Sequence, residues 1–412
     1  MPLVDRYDAI LFDLDGVLYR GDEALPGAAD TVRDLRARSK GLAFVTNNSS
    51  RTPEQVGEKL AGLGVEADPV EVVTSAVATA GLLAKRGVSR AFVIGEAGIR
   101  QALRRQGVDV LDGSPDVVDV VVIGWDRSVD YEKLKAASLL VQRGADLVAT
   151  NADASYPAPD GLWPGAGAIL AAVTTTTGAT PEIVGKPNAP LFELARERAG
   201  GGAAISVGDR LDTDVAGATS LGWDSLLVFT GVTHPANLVR AEDLPTYVGS
   251  DLSALVRPSA SVRPAGPDDT TGMKELLRAA GLSEDRLVDD DIRVGEWVAI
   301  DTEDGAIVGT VALERADHAA PIRWLAVAGE HRGQGLGTLL TAHAVREARR
   351  RGASNVVAAT ESAERFFAGL GFSQQGTLEA LPEVFRRRMS SRPETAVVMR
   401  LGLDAQSTAN GE

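Results

Sequence analysis

Short apolar runs that break off into clusters of carboxylate, hydroxyl or lysine side chains recur along the first half of this chain. They constrain its fold more than any other feature. Tyr7 to Phe12 runs into Asp13-Leu14-Asp15-Gly16, Gly41 to Val45 into Thr46-Asn47-Asn48-Ser49-Ser50, and Ile205 to Gly208 into Asp209. Between them lie stretches with helical apolar spacing, Ala28 to Arg38 and Pro53 to Leu63, the second opened by a proline suited to a first helical position. Further strand signals fall at Ala91–Gly95, Val117–Gly124, Leu147–Thr150 and Ser225–Thr230, with a loop expected near 178–182 after the Thr174–Gly178 run. Apolar strands alternating with helices predict a parallel α/β sheet with right-handed crossovers.

Ligands of such sheets bind beyond the carboxyl ends of the strands, where these polar clusters stand. Asp13 and Asp15, two residues apart as a strand opens into a loop, can face one pocket; the same Asp-x-Asp-Gly also suits an Asx turn. Lys186 sits between Gly185 and Pro187, where a solvated loop lysine is the leading reading when the motif is taken alone. Asp209, Asp212 and Asp214 follow a strand, and the last two also suit a helix N-cap. Four such clusters in one order point to a single site.

The series resembles the four motifs of the haloacid dehalogenase (HAD) superfamily of phosphohydrolases over about residues 5–245. Thr46-Asn47-Asn48-Ser49-Ser50-Arg51, Thr150-Asn151-Ala152-Asp153, Pro164-Gly165-Ala166-Gly167 and Val184-Gly185-Lys186-Pro187 are similar to its NagD-like and p-nitrophenyl-phosphatase-like branch. The resemblance implies that Asp13 attacks phosphorus and forms an aspartyl-phosphate, with Asp15 as general acid and then base. It implies Mg²⁺ on Asp13, the Asp15 carbonyl and Asp209, with Asp214 orienting a magnesium water. Thr46, the Asn47 amide and Lys186 would neutralise the phosphoryl oxygens. Asp15 favours a phosphatase over a dehalogenase, which needs neither that acid nor magnesium.

Thr46 and Lys186 are far enough apart to admit a domain, whereas Asp13 and Thr46 are not. The expected organisation is therefore a Rossmann-like core of residues 1–77 and 181–256, with an α/β cap inserted at 78–180. Caps close over small ligands, so a small phosphomonoester is the expected substrate. Asn151 and Asp153 are the expected cap contacts, while Arg51 reads equally as an anion contact or a solvated side chain. Resemblance points to glycerol 3-phosphate, with sugar phosphates, phosphoglycolate and nucleotides as alternatives.

A polar, proline-bearing stretch, Leu252 to Ser261, reads as a linker, and the pattern then changes. Trp297–Asp301 and Ala306–Glu314 read as a hairpin turned by Glu303-Asp304-Gly305. An apolar strand, Ile322 to Val327, leads into Arg332-Gly333-Gln334-Gly335-Leu336-Gly337 and a helix. Glycines ahead of a helix N-terminus let backbone N–H groups approach a pyrophosphate. With Ser261-Val262-Arg263-Pro264 and Glu364 to Phe372, this resembles an α+β GNAT acetyltransferase over about 260–402. The resemblance implies acetyl-CoA at Arg332, Gly333, Gly335 and Gly337. Phe367 stands where many members carry a proton-donating tyrosine, and a phenyl ring cannot donate. A bifunctional phosphatase/acetyltransferase and a ligand-sensing or structural C-terminal domain both remain open at this point.

Composition narrows the partners. The 412 residues contain no cysteine, which removes disulfides and thiolate chemistry and fits a cytoplasmic protein. A formal charge of −15 argues against nucleic acid as a general partner. No apolar run is long enough for a membrane span, and the N-terminus lacks the pattern of a signal peptide. Self-association is left open.

Overall fold

The computed structural model describes residues 1–158, 160–282, 296–301, 304–314, 319–378 and 396–403. The chain divides into two compact units, Val4–Ser225 and Met1–Leu3 with Leu226–Glu412. None of the described helices is long and apolar enough to cross a membrane.

In the first unit, β1 (Ala9–Asp13), α1 (Ala28–Ala37), β2 (Gly41–Thr46), α2 (Pro53–Gly62), β3 (Val72–Thr74) and α3 (Ser75–Lys85) follow in turn. Ala9 to Phe12 are buried throughout, as expected of a strand covered on both faces. Thr52 caps α2 by a reciprocal exchange with Gln55, which fixes its start at Pro53. The chain then builds a separate module: β4 (Arg90–Ile94), α4 (Ala97–Arg105), β5 (Asp109–Leu111), β6 (Val120–Ile123), α5 (Tyr131–Gln142) and β7 (Asp146–Ala149). A hairpin, β8 (Ser155–Ala158) and β9 (Gly161–Pro164), precedes α6 (Ala166–Thr177) and β10 (Glu182–Ile183). Gly178, at φ 70°, ends α6 where a loop was expected. The module sheet is parallel in the order β10-β7-β6-β4-β5.

The chain returns through α7 (Ala189–Arg198) to β11 (Ala204–Gly208). β11 pairs with β1 in parallel, β1 with β2 and β2 with β3. Asp13, Thr46 and Asp209 thus stand together at the carboxyl ends of three neighbouring strands.

The second unit includes β12 (Asp224–Val228, counted from Leu226) paired in parallel with β13 (Tyr247–Gly249). Leu252–Val256, expected to be part of a linker, is a short 3₁₀ turn. Leu252, Ala254 and Leu255 are buried there, so the apolar half of the stretch outweighs its polar half. A mixed sheet follows: β14 (Ala260–Pro264), β15 (Glu296–Asp301), β16 (Ile307–Leu313), β17 (Ala319–Val327), β18 (Asn355–Thr360), β19 (Ser373–Thr377) and β20 (Val397–Gly402). Its order is β14-β15-β16-β17-β18-β20-β19, antiparallel except for β17 against β18. The expected hairpin is β15–β16, with Glu303 of its turn outside the described residues. Helix α8 (Leu336–Arg350) buries Leu339, Leu340, Ala344, Val345 and Ala348.

Candidate active site

Asp13 closes β1, and its Oδ1 accepts from Lys186 Nζ at 2.5 Å. The same ammonium donates to Asp214 Oδ1 at 2.6 Å. Lys186 is thus a buried ion-pair partner, its side chain 5% exposed, and the solvated-loop reading falls away. Oxygens of Asp13, Asp209 and Asp214 lie within 4.8 Å of one another. Gly208 makes this approach feasible, because a Cβ there would fall 2.2 Å from that of Asp214.

Electrostatics follow from burial. Loss of hydration raises the Asp13 pKa against the lowering influence of Lys186, while neighbouring Asp209 raises it further. Burial likewise pushes Asp214 up to about 6, opposed by Lys186. Burial alone would lower the Lys186 pKa, but Asp13 and Asp214 more than offset it, so the ammonium is held charged. Asp15, at the open side, has its carboxyl raised by partial desolvation, with Lys59 and Arg20 opposing. Arg210 commits its guanidinium to Asp212 at 3.0 and 2.7 Å. Neither Asp212 nor Asp214 caps the following turn; Asp214 instead accepts from Arg210 N at 3.2 Å.

The donor set suits a hard divalent cation: three largely buried carboxylates against one ammonium leave excess negative charge, and all the donors are oxygen. Asp214, expected to orient a metal-bound water, lies as close to the group as the other two.

The remaining predicted residues divide. Thr46 ends β2 and its hydroxyl accepts from Asn48 N at 3.1 Å. Asn47 turns its side chain toward the Lys186 backbone, and Asn151 is 4% exposed and bonded to Asn47 O at 2.8 Å. Asp153 accepts from Asn47 Nδ2 at 3.2 Å. Gly165 and Gly167 pack on the preceding loop, where a Cβ would meet Asp153 O at 2.1 Å and Ala152 O at 2.3 Å respectively. Sequence reading did not single out Ser49, whose Oγ accepts from Thr150 Oγ1 at 3.0 Å; it lay in the quoted Thr46–Arg51 motif. Nor did it single out Tyr19, whose ring carries Lys59 Nζ at 4.0 Å.

In the second unit, Gly333 and Gly335 adopt φ 77° and 89°, Gly335 immediately preceding α8. With Arg332, Gly337, Trp324 and Phe367 they line a cavity of about 1080 Å³. Arg332 Nε donates to Val327 O at 2.9 Å. Phe367 is 4% exposed and packs edge-on against Phe366 and Phe372, each at 5.2 Å between centroids. Helix α9 (Glu364–Gly369) carries it.

A parallel sheet with a carboxylate–lysine centre at its strand ends, followed by a mixed-sheet unit with a glycine loop, defines a phosphohydrolase joined to an acyltransferase-like domain. Residues 10–109 match the haloacid dehalogenase-like hydrolase profile, 183–255 a HAD-hydrolase-like profile and 295–374 the acetyltransferase (GNAT) domain. An acid sugar phosphatase of Staphylococcus haemolyticus is 38% identical over 254 residues, 61% of this chain and 96% of the relative. A 5′-nucleotidase of Bacillus subtilis is 38% identical over 253 residues, 61% of this chain and 98% of the relative. A glycerol phosphate phosphatase from Mycobacterium tuberculosis, solved in complex with magnesium, superposes with a TM-score of 0.69 at 30% identity, covering 90% of this chain and 98% of its own. The chain belongs to the haloacid dehalogenase-like hydrolase family, as a phosphatase carrying a C-terminal GNAT domain.

Proposed function

We propose that the chain hydrolyses a small phosphomonoester, glycerol 3-phosphate foremost, through an aspartyl-phosphate on Asp13. The observation that carries this is the buried Asp13–Lys186–Asp214 chain of contacts at 2.5 and 2.6 Å. An Asp13 oxygen attacks phosphorus in line as the ester P–O bond breaks, and Asp15 gives its proton to the leaving oxygen. Asp15 then takes a proton from water, whose oxygen attacks the acyl-phosphate and frees Asp13 with inorganic phosphate. Lys186 and the Thr46 hydroxyl stabilise the phosphoryl oxygens. Asp13, Asp209 and the Asp15 carbonyl would hold Mg²⁺, which supplies charge neutralisation when bound.

In this reading residues 1–77 and 181–256 are the core, 78–180 the cap and 260–402 the GNAT domain. Support for glycerol 3-phosphate comes from the M. tuberculosis relative, which matches both parts of the chain. Relatives matching 61% of the chain are named an acid sugar phosphatase and a 5′-nucleotidase. A phosphate-release screen over glycerol 3-phosphate, sugar phosphates, phosphoglycolate and nucleoside monophosphates tests this by kcat/KM. Glycerol 3-phosphate should rank first, and Asp13→Asn should abolish release; turnover surviving in that variant would overturn the mechanism.

A second reading rests on the cavity at the glycine loop: it takes acetyl-CoA, with the pyrophosphate at the N-terminus of α8. Phe367 has no proton for a departing thiolate, which favours binding over transfer. Calorimetric titration with acetyl-CoA, wild type against Gly335→Glu, tests it; no heat from the intact protein removes it.

A further inference from the structure

The side chain of Asn47 is engaged with the protein's own backbone. Its Oδ1 accepts from Lys186 N at 2.8 Å and its Nδ2 donates to Lys186 O at 3.1 Å, a two-point grip on one residue's main chain. Nδ2 also reaches Asp153 Oδ2 at 3.2 Å. Asn47 is held in turn: its carbonyl accepts from Asn151 Nδ2 at 2.8 Å and from Ser75 Oγ at 2.6 Å. Asn151 Oδ1 accepts from Asp153 N at 3.1 Å, so the loop beyond β7 is braced on itself. Gly185 closes the arrangement, since a Cβ there would lie 2.4 Å from Thr150 O and 2.6 Å from Asn47 Oδ1.

A lysine is a flexible stem carrying a point charge, and its ammonium is directed only as well as its backbone is held. Lys186 must meet Asp13 and Asp214 at once. Its backbone is gripped by Asn47, and Asn47 is oriented by two residues of the module loop.

We propose that Asn151 and Asp153 are positioning residues for Lys186, acting through Asn47, rather than contacts to the leaving group. The inference rests on the reading of Asp13 as nucleophile. It makes seating of the 150–153 loop a condition for correct placement of the lysine, so the loop influences phosphoryl transfer from every ester alike.

The test uses the full chain and two esters of unlike leaving group, p-nitrophenyl phosphate and the best alkyl phosphate from the screen. Asn151→Ala and Asn151→Asp, which both lose the amide donor, should lower kcat about 10- to 100-fold by the same factor on both esters, with KM within about twofold. Asp153→Ala should behave likewise, while Asp153→Asn, which keeps an acceptor for Asn47, should stay within about threefold of wild type. Vanadate, which mimics the transferring phosphoryl group, should bind the impaired variants more weakly. Thermal melts identify any variant that fails to fold; if Asn151→Ala does, the Asp153→Ala and Asp153→Asn pair carries the same comparison. A loss that differs between esters, or a raised KM at unchanged kcat, would mean direct substrate contact and overturn the inference. Wild-type turnover matched by the variants overturns it alone. Absence of wild-type turnover on either ester overturns the phosphatase reading and this inference together.

Discussion

Gly208 and Asp214 occupy space that no larger pair could share: a Cβ on Gly208 would stand 2.2 Å from the Asp214 Cβ and 2.3 Å from its Oδ2. The turn after β11 folds Asp214 back over the residue preceding Asp209, and only hydrogen at position 208 leaves room. Gly208→Ala should therefore push Asp214 away from Lys186. Overpacking of this kind costs about 1–3 kcal/mol, or about 2–4 °C of Tm per kcal/mol. Phosphate release should fall at least about tenfold, because a small displacement at a reacting centre is costly. Differential scanning fluorimetry and steady-state rates measure both, and a fully active, equally stable variant would refute the steric argument.

Much of this centre is legible in the chain. Asp13, Thr46 and Asp209 each end an apolar run, and neighbouring parallel strands bring their ends together. The hold of the Asn47 side chain on Lys186 is not legible, because it reaches the main chain of a residue 139 positions away. The same holds for His331, which meets Asp301 at 3.0 Å across 30 positions. The stretch at 252–256 was misread because scattered polar residues masked Leu252, Ala254 and Leu255, whose burial only tertiary packing decides. Phe367 could be named as lacking a proton, but not as locked between Phe366 and Phe372.

Three carboxylates gathered within 4.8 Å around one ammonium should respond to a divalent cation even without substrate. A ligand that binds the folded state stabilises it by RT ln(1 + [L]/Kd), about 2.7 kcal/mol at 100 times Kd. Mg²⁺ should raise Tm in the wild type and chelator should reverse the shift and stop phosphate release. Asp209→Asn, which removes one charge from the group, should blunt the shift. An identical shift in that variant would place the cation elsewhere.

His343 offers a pH signature in the second unit. Burial pushes its pKa down to about 3 from an ordinary 6.5, with Arg346 adding repulsion. Between those values the unfolded chain binds a proton that the folded chain refuses, so stability falls as pH drops through the window. At about 1.4 kcal/mol per pH unit, acidification from pH 7 to 5 removes roughly 2 kcal/mol. His343→Gln, uncharged throughout, should lack that component, so the Tm difference between wild type and variant should change across pH 5–7. Parallel Tm curves would show that His343 does not titrate in this way.

Asp15 supplies the sharpest separation of chemical steps. Its proton is needed most where the leaving oxygen is an alkoxide, and least for p-nitrophenolate, which is stable near neutral pH. General acid catalysis contributes about 10²–10⁴-fold, so Asp15→Asn should lower phosphoenzyme formation from an alkyl phosphate by about that factor. With p-nitrophenyl phosphate the first step should be largely spared. The second step still lacks its base, since an amide cannot take the proton from water. Rapid mixing of the variant with that ester should therefore give a burst of about one p-nitrophenolate per Asp13, followed by slow turnover. Adding Asp13→Asn should erase the burst. A variant equally impaired in the first step on both esters would assign Asp15 to binding rather than to proton transfer.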